Sequence, residues 1–70
     1  MKHPSYKEIT ELAKTDRGYA LELAFLKFDD LDVAYVNGSG TKRSKVRCDN
    51  AALFLNDLAN HKDTSGDNYD

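Results

Sequence analysis

The stretch YALELAFLKF, residues 19–28, decides the fold because it is the most apolar run in the chain. Only Glu22 and Lys27 within it are charged. A continuous apolar run of this length fits a strand that is buried on both faces. Gly18, which can end a preceding helix by adopting a positive φ, comes directly before the run, and two turn-forming aspartates follow it. The pattern therefore favours a strand over residues 19–28.

A helix over the same residues is the alternative that the sequence leaves open. Four apolar side chains repeat at the i, i+3, i+4, i+7 spacing of one helical face, and the run is rich in good helix formers. They are Leu21, Ala24, Phe25 and Phe28. The far side of such a helix would carry Tyr19, Leu23 and Leu26, which would then need other cover. We expect Phe25, within the run, to be buried in the core.

Local signals predict a helix on each side of this run. Ser5 and Glu8 follow the S-x-x-E pattern of a capping box, which predicts a helix over residues 6–14. Asp49 is a good N-cap residue, and the apolar residues after it repeat at helical spacing. A last helix is therefore predicted over residues 50–61.

Two further strands are predicted between the central run and the last helix. Residues 31–36 and 41–48 alternate in the manner of strands, and the sequence NGSG at residues 37–40 is typical of a hairpin turn. The predicted fold class is α+β, in the order α-β-β-β-α, a three-stranded antiparallel meander with both helices on one face. It forms a single domain over residues 1–61. If residues 19–28 are helical instead, the rival is an α-α-β-β-α fold that resembles a winged helix.

Size and composition restrict the class of protein. A chain of 70 residues forms one small domain. Its core supplies about 3–5 kcal/mol, so a dimer or a bound partner could add to its stability. Cys48 is the one cysteine, which excludes an intrachain disulfide and is typical of a reducing compartment. The sequence shows no signal peptide and no apolar run that approaches membrane-spanning length. We therefore expect a cytoplasmic protein without membrane contact.

The charges are unevenly distributed, although the net charge is only −2. Residues 62–70 are acidic and carry almost no apolar side chains, so we predict a disordered acidic tail. Residues 41–48, by contrast, contain four bases and no acid. On a strand, Arg43, Lys45 and Arg47 would point to one face at a spacing of about 6–7 Å.

This basic row is open to two interpretations. It can track a phosphate backbone or an acidic protein surface. It can also protect an exposed sheet edge, which is a common use of lysine on edge strands. If the row binds, the predicted partner-binding residues are Lys42, Arg43, Lys45, Arg47 and Tyr35.

No catalytic or metal site is predicted. Cys48 and His61 lie at opposite ends of the predicted last helix, about 20 Å apart, beyond the reach that a nucleophile and its base require. One cysteine and two separated histidines fall short of a structural zinc set. Asp29, Asp30 and Asp32 lack the register of a calcium loop and are predicted to form a solvated turn. We therefore expect a protein that is not an enzyme, with no cofactor and no bound metal.

Part of the chain resembles the double-stranded-RNA-binding domain. The predicted element order is that of the family, and the resemblance covers about residues 38–58. The residues that carry it are Gly38-Ser39-Gly40, Ser44-Lys45 and Asn50-Ala51-Ala52. The resemblance implies lysines that bind phosphates across a groove and a first helix that enters the minor groove. Val46 and Asp49 stand where that family would have lysines.

By type alone, short acidic chains with few cysteines and no catalytic motif are similar to phage or mobile-element inhibitors, anti-CRISPR proteins among them. We therefore predict a small non-enzymatic protein-binding regulator or inhibitor that acts through the basic strand face. Its partner is expected to be another protein. The alternative is a module for double-stranded RNA or another nucleic acid that uses Lys42, Arg43, Lys45 and Arg47.

Overall fold

Helices replace the predicted meander. A computed structural model of the chain describes residues 3–38, 42–62, 64 and 69. Within these residues the chain is 80% helical and contains no strand. The described helices are α1 (Tyr6–Ala13), α2 (Arg17–Asn37) and α3 (Lys42–Ala59). The predicted α+β fold is therefore wrong. The alternative α-α-β-β-α fold is also wrong, because its two predicted strands are replaced by helix among the described residues. Its helix over residues 19–28 is correct.

The positions of glycine and proline explain why helices form where strands were predicted. Neither residue type occurs between residues 19 and 37, nor again between residues 41 and 59. Nothing in either stretch therefore stops a helix once it has begun. The three aspartates that were predicted to form a turn, at positions 29, 30 and 32, lie inside α2. Aspartate is a weak helix former, but it does not break a helix as glycine or proline does.

Both ends of α2 have identifiable caps. The Asp16 carboxylate accepts a hydrogen bond from the Tyr19 amide at 3.1 Å and so forms the N-cap. Gly38 follows the last residue of the helix, and its amide donates to the Ala34 carbonyl at 2.9 Å. Gly18, which was predicted to end the first helix, is instead the second residue of α2. The predicted NGSG hairpin turn lies partly outside the described residues, and Gly38 caps a helix rather than a strand.

The prediction for the first helix is confirmed, and the prediction for the last helix starts too late. The Glu8 amide donates to the Ser5 hydroxyl at 3.2 Å, which is one half of the predicted capping box. In α3, Asp49 was predicted to be the N-cap, but the helix already begins at Lys42. Asp49 instead forms an ion pair with Lys45 at 3.1 Å, one turn earlier on the helix surface.

Helices α2 and α3 pack against each other as an antiparallel hairpin. Near the connection between them, the Cys48 thiol of α3 donates to the Asp32 carboxylate of α2 at 3.7 Å. Near the other end, the Arg17 guanidinium at the start of α2 donates to the Leu58 carbonyl at the end of α3. Contacts between the start of one helix and the end of the next are those of an αα-hairpin.

Helix α1 covers one end of this hairpin and completes the core. The buried core residues come from all three helices and from the described part of the C-terminal segment. They are Tyr6, Ile9, Ala20, Ala24, Ala51, Phe54, Leu58 and Tyr69. Phe25, which was predicted to belong to the core, is 53% exposed on the outer face of α2. Within the apolar run, Ala20 and Ala24 are buried, and the partly buried Leu21, Leu23 and Phe28 pack against the core.

Three aromatic rings form the centre of the core. The Phe54 ring centroid lies 4.7 Å from that of Tyr6 and 5.0 Å from that of Tyr69. Such offset and edge-to-face pairs add about 0.5–1.5 kcal/mol each beyond the burial of their area. The Tyr69 hydroxyl donates to the Asp57 carboxylate at 2.6 Å, which fixes the C-terminal segment to α3.

Tyr69 belongs to residues 62–70, which were predicted to be a disordered acidic tail. Of this segment the structure describes residues 62, 64 and 69, and the remaining positions lie outside the described residues. Thr64 and Tyr69 are both buried, and the Thr10 hydroxyl donates to the Thr64 carbonyl. None of the described helices is long and apolar enough to cross a membrane.

Candidate partner-binding site

A cleft of about 510 Å³ opens between α2 and α3, next to the C-terminal segment. Its polar lining comes from Lys27, Arg43, Arg47 and Asn50, and we call this site the cationic cleft. Its apolar lining comes from Tyr6, Leu31, Val46 and Tyr69. None of the described residues that line the cleft is acidic. The site therefore combines three positive charges with an aromatic and aliphatic floor.

Helix α3 places two of the cations side by side. Arg43 and Arg47 are four residues apart, so they lie on one face of the helix with a rise of about 6 Å between them. Both side chains are exposed. Within the described ranges 3–38 and 42–62, neither guanidinium takes part in an ion pair. Among the described residues, no carboxylate therefore competes with a bound anion for their N–H groups.

Lys27 of α2 is the third cation, and its position is set by neighbouring groups. Its ammonium lies 4.1 Å from the centroid of the Tyr6 ring, which is a cation–π contact. It also donates to the Pro4 carbonyl at 3.0 Å. These contacts fix the position of the Lys27 ammonium, and Lys27 lines the same cleft as the two arginines.

A second group of polar side chains lies on a different face of α3 from the two arginines. The Asp49 carboxylate raises the pKa of Lys45, first through its hydrogen bond and then through its negative charge. Burial, and next the negative charge of Asp32, raises the pKa of the Cys48 thiol. A thiol with a raised pKa stays protonated at neutral pH and is a poor nucleophile. This group is therefore a set of paired charges around a structural cysteine.

The prediction of a basic row on one strand face is wrong, because residues 42–47 belong to helix α3. Successive residues turn by about 100° around a helix axis, so Lys45 points away from Arg43 and Arg47. Lys42 is exposed and does not line the cleft. Tyr35 of α2 lies close enough to Lys45 to make a minor contribution to the raised pKa of Lys45, and it is also outside the cleft. Of the five predicted partner-binding residues, only the two arginines line the cationic cleft.

The strand assignment of residues 41–48 could not show which residues meet in the cleft. An Arg-x-x-x-Arg spacing on a helix would have shown that residues 43 and 47 share a face. Lys27, Asn50 and Tyr69 carry no local signal of their own. They meet in the cleft only because the helical hairpin and the C-terminal segment bring separate parts of the sequence together.

The described residues contain no cluster of three or more His, Cys, Asp and Glu side chains that could hold a metal ion. Cys48 lies in the middle of α3, and His61 follows the end of that helix. The guanidinium and ammonium groups of the cleft can recognise an anion, and the exposed Val46 beside them can pack on an apolar side chain.

Comparison with known proteins found no matching family model, no similar curated protein and no similar solved structure.

Proposed function

We propose that the protein is a small non-enzymatic protein-binding regulator or inhibitor whose cationic cleft binds an acidic segment of a partner protein. One observation carries this proposal. Three cations and no described acid line a concave site, in a chain whose net charge is −2. Clustering of the positive charge in an acidic chain favours a negatively charged ligand at that place and steers its approach.

The geometry of the arginines suggests what the acidic segment contains. A guanidinium binds a carboxylate through two parallel N–H···O bonds. Carboxylates two residues apart in an extended segment are separated by about 6–7 Å, which is close to the rise between Arg43 and Arg47. Val46, which is 48% exposed and lines the cleft, can then pack on an apolar side chain of the same segment.

The distribution of charge favours a protein over a nucleic acid. A duplex is bound by lysines and arginines spread along the phosphate backbone, each of which neutralises a phosphate. Here acids lie among the bases: Glu22, Asp29 and Asp30 are exposed on α2, and Asp49 pairs with Lys45 on α3. The predicted α-β-β-β-α fold, on which the resemblance to the RNA-binding domain depends, is also contradicted. The phage or mobile-element origin suggested by size and charge stays a prediction.

The test compares two double variants with the same change in net charge. Arg43→Glu with Arg47→Glu reverses the cleft, and Lys42→Glu with Lys45→Glu reverses the neighbouring surface of α3. The probe is a fluorescent twelve-residue peptide with aspartate at alternate positions and one phenylalanine. The control peptide has asparagine in place of each aspartate, and a duplex RNA serves as a third probe.

We expect wild type to bind the aspartate peptide and not the asparagine peptide, as measured by fluorescence anisotropy. The cleft variant should lose at least about tenfold in affinity, because a reversed charge repels the carboxylate that it formerly bound. The control variant should bind within about twofold of wild type, since screened exposed charges contribute little. Equal losses in the two variants would contradict a specific cleft. If wild type binds duplex RNA and only the cleft variant loses that binding, the result would support the nucleic-acid alternative instead.

A further inference from the structure

A continuous apolar and acidic strip runs along the outer face of α2. It consists of six exposed residues separated by alternating steps of three and four, and we call it the outer seam. They are Tyr19, Glu22, Leu26, Asp29, Val33 and Val36. The exposed fraction of the apolar members ranges from 43% for Leu26 to 70% for Val36. No described part of the chain covers them.

The spacing of the outer seam is the heptad spacing of helix-to-helix contacts. Alternating steps of three and four keep a row of side chains facing a second helix that lies alongside. From Tyr19 to Val36 the seam extends about 25 Å along the helix axis. Phe25, which is 53% exposed, widens the strip on one side. A row of large apolar side chains on an exposed helix face marks an interaction surface.

The charges of the outer seam restrict what can dock there. Glu22 and Asp29 interrupt the apolar row, and within the described residues neither has a hydrogen bond or an ion pair. The two bases of α2 are engaged elsewhere, since Lys27 lines the cationic cleft and Arg17 donates to the Leu58 carbonyl. The outer seam is therefore apolar and acidic, without a basic residue of its own.

A second copy of the chain does not satisfy this pattern. If two outer seams paired in parallel, Glu22 would face Glu22 and Asp29 would face Asp29, and like charges at these positions repel. If they paired antiparallel, Leu26 would face Asp29 and Val33 would face Glu22. That arrangement would bury carboxylates without a partner, which is costly. An anionic lipid surface is disfavoured by the same negative charges.

We propose that the outer seam is a second docking surface, which binds a basic amphipathic helix of a partner protein. Apolar residues of that helix would pack on Tyr19, Leu26 and Val33, and its lysines or arginines would lie opposite Glu22 and Asp29. This surface is independent of the cationic cleft, because Lys27 and Leu31 face the cleft from the other side of α2. The protein would then join an acidic segment and a basic helix on opposite sides of one hairpin.

The probe for this surface is a synthetic 21-residue peptide with leucine in the heptad seam and lysine at the positions that face the two acids, matching α2 in length. A matched peptide carries glutamate in place of lysine. One protein variant, Leu26→Ser with Val33→Ser, removes apolar contact. The other, Glu22→Lys with Asp29→Lys, reverses the seam charges. Thermal unfolding checks that both variants are folded, since all four side chains are exposed.

We expect wild type to bind the lysine peptide at least about tenfold more tightly than the glutamate peptide. The variant Leu26→Ser with Val33→Ser should lose binding of the lysine peptide. The charge-reversed variant should prefer the glutamate peptide, which a loss of fold could not produce. The cleft variant Arg43→Glu with Arg47→Glu should keep its binding of the lysine peptide. Failure of wild type to bind the lysine peptide, or an unchanged preference after charge reversal, would overturn the proposal. Analytical ultracentrifugation tests for a dimer. If wild type dimerises and Leu26→Ser with Val33→Ser abolishes the dimer, the occupant of the outer seam is a second copy and the proposal is overturned.

Discussion

The two ends of the α2–α3 hairpin differ in how much they bury. At the end that α1 covers, which we call the closed end, the two helices contribute five buried side chains. They are Ala20, Ala24, Ala51, Phe54 and Leu58. At the other end, which we call the open end and which comprises residues 31–37 and 42–48, Cys48 alone among the described residues is buried. Residues of both helices at the open end are otherwise exposed or half-buried.

The open end therefore contributes less to stability than the closed end, and its exposed side chains are available for binding. The closed end removes apolar side chains from water and therefore supplies most of the stability. The open end holds Arg43 and Arg47 in the cationic cleft and Val33 and Val36 in the outer seam. Substitutions at the closed end should therefore change the free energy of unfolding. Substitutions on the exposed surfaces should change binding and leave stability almost unaltered.

The largest expected effect comes from removing a phenylalanine ring at the closed end. Phe54→Ala should lower the free energy of unfolding by about 3–5 kcal/mol, because Phe54 is 0% exposed and contacts two other rings. Phe25→Ala removes the same ring from the exposed face of α2 and should cost less than about 1 kcal/mol. Urea unfolding monitored by far-UV circular dichroism measures both. Similar losses in the two variants would show that the outer face of α2 is buried after all.

The next effect concerns two glycines at opposite ends of α2. A Cβ atom at Gly38 would collide with the backbone carbonyl of Ala34, so Gly38→Ala should destabilise the protein by about 1–3 kcal/mol. At Gly18 a Cβ would meet only Asp16 Oδ1, at an ordinary 3.8 Å. Gly18→Ala should therefore stabilise the protein by up to about 0.5–1 kcal/mol, through helix propensity. Opposite signs in thermal unfolding are the expected result, and a loss at both positions would contradict the assignment of Gly18 to α2.

A further effect, smaller than those of Phe54→Ala and Gly38→Ala, is expected where α3 ends. His61 has a φ of 60°, in the left-handed region. Its amide donates to the Leu58 carbonyl at 3.2 Å, and the Lys62 amide donates to the Asp57 carbonyl at 2.9 Å. These are the two hydrogen bonds of a Schellman cap, in which glycine is the usual residue at this position. His61→Gly should therefore raise the free energy of unfolding by about 1 kcal/mol. Unchanged or lower stability in calorimetry would contradict this cap.

The elements that could be predicted from the sequence are those fixed by local interactions. The cap formed by Ser5 and Glu8 depends on residues three positions apart, and the helix after it was predicted within one residue of its observed end. The central run was misassigned because a buried strand and a helix give similar apolar runs. The absence of glycine and proline up to Gly38 was the better guide, since it allows one uninterrupted helix.

The candidate site was only partly predictable, for a related reason. The basic character of residues 42–47 was evident from the sequence, but which cations act together depends on the backbone. A strand would have grouped Arg43 with Lys45, whereas the helix groups it with Arg47. Tyr69 lies in a polar segment without periodicity, and only the packing of its ring against Tyr6 and Phe54 places it beside the cleft.

The most direct test of the central claim is an amide NMR titration of wild-type protein with the aspartate peptide. If the cationic cleft is the binding site, chemical shifts should change at Leu31, Val46 and Asn50, which line it. The amides of Ile9, in the closed end, and Val33, in the outer seam, should change little. Shift changes spread evenly over all three helices, concentrated in the outer seam, or absent altogether would contradict the claim.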